Sequence, residues 1–218
     1  MGNSLSCMVR ICTKVLLLNS HPNRVPSHRD QLLFCDAVYY ASGSENDGRI
    51  FTERGYRVLK VVAGSDTGLK IVFYVPSWFP TFTGKVPDTE DAFDYDTLPA
   101  EVTLGAVFRG TDPSIMANME ANFQLFRTAV ISVSNGELPK IARDAMEELH
   151  TLLQKIKSCH PALAQSHTKF KLLLTGHSLG GHLAETCAVH CACELDDVGP
   201  PLLESIQVSH TPAHIART

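Results

Sequence analysis

Phe170-Lys171-Leu172-Leu173-Leu174-Thr175-Gly176-His177-Ser178-Leu179-Gly180-Gly181 is the stretch that decides how this chain is read. Its first six residues form an apolar run of strand length, and the residues from Gly181 to Cys193 favour a helix. Between them, Gly176 to Gly180 has the G-x-S-x-G spacing of a sharp strand-to-helix turn that projects a serine hydroxyl. A glycine on each side of Ser178 relieves the crowding of such a turn. The unpaired N–H groups that open the following helix point at the same place and favour negative charge developing there. The pentad alone is common by chance. The strand before it and the helix after it make Ser178 a candidate nucleophile.

A second segment belongs with the first. Val102-Thr103-Leu104-Gly105-Ala106-Val107-Phe108 reads as a buried strand that runs into Arg109-Gly110-Thr111-Asp112-Pro113. Acyl transfer needs N–H donors aimed at an oxyanion, one from the residue after the nucleophile and one from a loop after an earlier strand. Leu179 stands in the first position, and Thr111 offers the second through its backbone N–H, with a hydroxyl beside it.

With Val107-Phe108-Arg109-Gly110-Thr111 followed by Leu174-Thr175-Gly176-His177-Ser178-Leu179-Gly180-Gly181-His182-Leu183-Ala184, the sequence resembles the class 3 lipase family of fungal-lipase-like α/β hydrolases. The likeness spans about residues 55 to 193, and the two motifs in this order are more specific than either alone. The resemblance implies an α/β fold with a mostly parallel sheet flanked by helices. It also implies Ser178 as nucleophile, and Thr111 and Leu179 as the oxyanion hole.

A serine nucleophile also needs a base and an acid that orients it, and in α/β hydrolases these follow the serine in the order Asp or Glu, then His. The chain of 218 residues leaves room after Ser178 for the elbow helix and one strand, Ser205 to Ser209. Asp196-Asp197 follows the helix, roughly 20 Å from the elbow at about 1.5 Å per residue, which is the wrong end of the sheet. His210 and His214 follow the last strand, and a parallel strand delivers His210 to the edge where Ser178 sits. No acid stands between that strand and His210. The expectation is therefore a fold whose final strands, with the family's Asp and His, are missing. His177 and His182 adjoin Ser178, but adjacency in sequence is no evidence for a base, which must reach the hydroxyl through folded geometry.

Composition sets the class. A content of 44% hydrophobic and 19% charged residues is that of a globular domain, and a net charge of −4 gives no basic footprint for nucleic acid. No run approaches the roughly 20 apolar residues of a membrane span, and Arg10 and Lys14 interrupt what a signal peptide would need. Seven cysteines, an odd number without a regular framework, suit a reduced, cytoplasmic protein. Cys187, Cys191 and Cys193 match no standard zinc spacing and read as small residues packing the elbow helix. Asp88, Glu90, Asp91, Asp94 and Asp96 read as a solvated acidic loop. No cofactor or metal is expected.

Residues 1–30 read as an extension and 31–218 as one domain. Met1-Gly2-Asn3-Ser4-Leu5-Ser6 fits the N-myristoylation pattern, and Cys7 could take a palmitoyl chain. A single acyl chain anchors only marginally, so the pair Gly2 and Cys7 is what a stable attachment to a membrane surface needs. Elsewhere, a helix is expected over Gln31–Ala41 and a hairpin over 55–75, turning at Gly64-Ser65-Asp66-Thr67-Gly68. An amphipathic helix is expected over Leu138–Lys157, with Ile141, Ala145, Leu149, Leu152 and Ile156 inward. Ile115, Met116, Met119, Phe123 and Phe126 follow the oxyanion segment and suit either a lid over acyl chains or an ordinary core helix.

By resemblance the chemistry is hydrolysis of a lipid carboxylic ester, a glyceride or similar. The alternative is a catalytically silent lipase-like protein that binds lipid or a partner. An imidazole within hydrogen-bond reach of Ser178 separates the two.

Overall fold

The Gly64 N–H donates to the Leu69 carbonyl at 2.8 Å, closing a tight turn that can join only antiparallel neighbours. Strands β1 (Tyr56–Ala63) and β2 (Lys70–Pro76) on either side of it accordingly pair antiparallel. The hairpin expected from the Gly64–Gly68 segment is present. The structure, a computed structural model, describes residues 25–41, 48–79, 99–112, 114, 116, 118–120, 138–160, 168–194 and 203–211.

β2 also pairs antiparallel with β3 (Glu101–Phe108). From there the chain changes habit. Helix α3 (Lys140–Cys159) carries it to β4 (Lys169–His177), parallel to β3, and helix α4 (Leu179–Glu194) carries it to β5 (Leu203–Thr211), parallel to β4. The sheet has five strands in the order β1-β2-β3-β4-β5. This corrects the expectation of a mostly parallel sheet: the sheet is mixed. The short turn between β1 and β2 imposes the antiparallel half, and helical crossovers long enough to reverse the chain impose the parallel half.

Alternation along each strand then sorts residues between two cores. Ile71, Phe73, Leu104, Ala106, Leu172 and Leu174 face α3 and α4. Val72, Tyr74 and Val107 face α1 (His28–Tyr40) and α2 (Arg49–Thr52). The two crossovers run in the same direction, so both of their helices lie on one face. The five inward positions expected on α3 are all buried. On the opposite face, Phe34 stacks on Phe51 at 4.3 Å and Tyr74 meets Phe34 edge-on at 5.0 Å. The Tyr74 ring lies over Gly105, where a Cβ would come within 1.9 Å of it. That contact explains a glycine in the middle of a buried strand.

Helix α1 begins at His28, ahead of the position its apolar spacing suggests. Ser27 caps it: the Asp30 N–H donates to Ser27 Oγ at 3.2 Å and the Ser27 N–H to Asp30 Oδ2 at 3.0 Å. This capping box lies before the first apolar residues and is invisible to periodicity.

Candidate functional site

Ser178 joins β4 to α4 with φ 54°, and it is the one non-glycine residue with positive φ among those described. Left-handed backbone costs an L-residue roughly 1–2 kcal/mol, so the surrounding structure must hold it there. Two glycines permit this. A Cβ on Gly176 would stand 2.1 Å from the Gly180 carbonyl carbon, and one on Gly180 would stand 2.2 Å from the Phe108 carbonyl oxygen. The first turn of α4 thus folds directly back on the ends of both β4 and β3. The Ser178 carbonyl accepts from the Gly181 N–H at 2.8 Å and the His182 N–H at 3.3 Å. The N–H groups that open the helix, starting with Leu179, have no partner within it. The Leu179 side chain is fully buried and fixes that end of the helix in the core.

Parallel pairing of β3 and β4 sets Phe108 opposite Gly176, so the segment after β3 begins beside the elbow. Gly110 is pressed against it: a Cβ there would lie 2.7 Å from the His177 carbonyl oxygen and 3.3 Å from His177 Nδ1. Ser178, Leu179 and the turn holding Thr111 therefore share one edge of the sheet. Thr111 Oγ1 is buried and has no hydrogen-bond partner among the described residues, as does His177 Nε2.

Three neighbours fix this turn. The Arg109 guanidinium donates to the Gly68 carbonyl at 2.6 Å and pairs with Asp112 at 3.3 Å. Buried Asn118 accepts from the Asp112 N–H at 3.1 Å and donates to the Thr67 carbonyl. Asp112 in turn accepts from the hydroxyl and N–H of Ser114, which hold its carboxyl below the usual range. The β1–β2 turn is thus a platform for the segment after β3. Sequence reading missed this role for Asn118 and Gly68, because nothing in their local pattern says which distant backbone they meet.

The parallel register of β5 places His210 opposite Gly176 and Thr211 opposite His177, so the strand runs past the expected Ser209 and His210 lies within it, level with the elbow. His182 lies 3.6 Å from Glu185 on its own helix. Cys187 is fully buried in the core, where burial pushes its thiol up to about 12. Met116 and Met119 are exposed near the turn. Gly2, Cys7, the acidic residues between Asp88 and Asp96, Phe123, Phe126, Asp196, Asp197 and His214 lie outside the described residues. Among the described residues no cluster of three or more His, Cys, Asp or Glu has metal-binding geometry, and no helix is long and apolar enough to cross a membrane.

Residues 106–197 match the lipase (class 3) family. No curated protein matches the sequence. Among solved structures, a fungal lipase in complex with an inhibitor is similar at 17% identity and TM-score 0.43, over 78% of this chain and 55% of that one. The Rhizomucor miehei triacylglyceride lipase is similar at 14% identity and TM-score 0.41, over 81% of this chain and 57% of that one. A triacylglycerol lipase described as having a serine-protease triad is similar at 16% identity and TM-score 0.35, over 77% and 57%. The chain spans little more than half the length of the lipases it matches.

Proposed function

We propose that this chain, whose residues 106–197 match the lipase (class 3) family, is a serine hydrolase acting on carboxylic esters of lipids. The observation that carries the reading is Ser178 held at φ 54° between β4 and α4, with the turn of Thr111 packed against the same corner. Strain of this kind persists where surrounding structure over-determines it, and such sites cluster where chemistry is done. In the reaction, Ser178 Oγ attacks the ester carbonyl carbon, and the carbonyl electron pair moves onto oxygen. The N–H groups of Leu179 and Thr111 receive that charge. Collapse expels the alcohol and leaves an acyl-serine, and water then releases the carboxylate and restores Ser178.

The hydroxyl proton needs an acceptor. His210, whose backbone stands in register with Gly176 on the neighbouring strand, is the first residue to substitute in the search for it. Exposed Met116 and Met119 supply apolar surface suited to an acyl chain. Acylation at Gly2 and Cys7 would set the site on the cytoplasmic face of a membrane, close to lipid substrate.

Hydrolysis of a short-chain p-nitrophenyl ester by the purified chain and by Ser178→Ala tests the reading. Turnover should fall at least about a thousandfold in the variant. Equal rates in the two proteins reject Ser178 as nucleophile. A folded wild-type chain with no turnover favours the silent lipid- or partner-binding form.

A further inference from the structure

Gly110 has a third neighbour besides β4 and the elbow. A Cβ at this position would lie 2.3 Å from the hydroxyl oxygen of Tyr39, nearer than it would be to the His177 carbonyl at 2.7 Å. Tyr39 comes from α1, on the opposite face of the sheet from α4, and its own backbone is tied down: Lys70 Nζ donates to the Tyr39 carbonyl at 2.9 Å. The Arg109 N–H donates to the Lys70 carbonyl at 2.9 Å, so Lys70 holds both α1 and the start of the turn. The half-buried phenol is raised above its ordinary value by desolvation, and the Gly110 backbone beside it offsets part of that rise. Among nearby groups, Arg109 lowers the phenol while Cys35 and Asp112 raise it.

We propose that Tyr39 is a positioning residue whose hydroxyl, wedged against Gly110, fixes the turn that presents the Thr111 amide to the elbow. The inference rests on the hydrolase reading for its consequence in turnover, though not for the contact itself. A peptide chain without a side chain at Gly110 has wide conformational freedom, and Arg109 and Asp112 restrain the turn only on either side of that residue. The Tyr39 hydroxyl and the His177 carbonyl close on Gly110 from α1 and β4 and narrow the orientations open to its peptide planes. The next N–H along the chain is that of Thr111. Its direction is thereby set before any substrate arrives, as an oxyanion donor requires. Tyr39 touches no reacting atom in this scheme and acts through Gly110 alone.

Tyr39→Phe tests the proposal, because it removes one oxygen and leaves the ring packing. The first readout is amide hydrogen exchange at Gly110 and Thr111, which needs no catalysis. Exchange there should accelerate, because loosening a packed turn lowers the cost of its local opening, while exchange in α3 and β4 stays as in wild type. The second readout is Ser178-dependent hydrolysis of p-nitrophenyl butyrate, in which kcat should fall about tenfold at unchanged KM. Unchanged exchange at Gly110 and Thr111 overturns the proposal. So does faster exchange with undiminished kcat. A wild-type chain without turnover sinks the hydrolase reading, and the clamp is then decided by the exchange measurement alone.

Discussion

The carbonyl oxygen of Phe108, the last residue of β3, lies 2.2 Å from the point a Cβ on Gly180 would occupy. This contact adds to the strand pairing that already sets Phe108 beside Gly176. It joins the end of one strand to the first turn of the helix that follows the other, and it exists because residue 180 has no side chain. Backbone cannot retreat as a flexible side chain can. Gly180→Ala should therefore push α4 off β3 and lower stability by about 1–3 kcal/mol, the usual cost of overpacking a close contact. Urea unfolding of the variant against wild type measures this. As a control, Gly55 has φ +80° and nothing within 4 Å of its added Cβ, so alanine there costs backbone strain alone.

Ser178→Gly separates strain from chemistry. Glycine occupies φ 54° without the steric cost borne by serine, so the variant should gain about 1 kcal/mol in unfolding free energy while losing its hydroxyl. A calorimetric midpoint above that of wild type, together with lost hydrolysis, is the expected result. A destabilised variant would mean that the serine side chain contributes more than its backbone costs.

How much of this was legible in the sequence differs by region. The strand, turn and helix around Ser178 followed from Gly176, Gly180 and their apolar neighbours, since the pattern and the steric need coincide locally. The hairpin at Gly64–Gly68 was legible for the same reason. The sheet's mixed direction was not carried over from the family resemblance, although the hairpin already required two strands to run antiparallel. Tyr39 had no signal at all. Its contact with Gly110 joins segments far apart in sequence, and a tyrosine near the end of an amphipathic helix looks like any other. Asn118 was hidden likewise, being satisfied by the backbones of Asp112 and Thr67.

His160 gives a pH dependence. Burial holds its imidazole below the ordinary 6.5. As pH falls the unfolded chain takes up this proton first, so stability from the neutral ring is complete above about 6.5 and declines as pH drops towards the folded value. The urea midpoint of wild type should fall more steeply between pH 7 and pH 5.5 than that of His160→Gln. Parallel profiles in the two proteins would contradict the assignment.

Membrane attachment is checked by Gly2→Ala. The substitution removes the myristoylation site, and with it much of the apolar anchor, so the protein should move from membrane to soluble fractions. The intact mass should lose one acyl group. An unchanged distribution, or a wild-type mass without an acyl group, rejects the anchor.

The most direct measurement is reaction with a fluorophosphonate followed by peptide mass spectrometry. A single phosphonyl adduct is expected on Ser178, absent in Ser178→Ala and retained in His182→Ala. An adduct on another residue, or a folded protein that acquires none, would contradict the claim that this serine is the nucleophile.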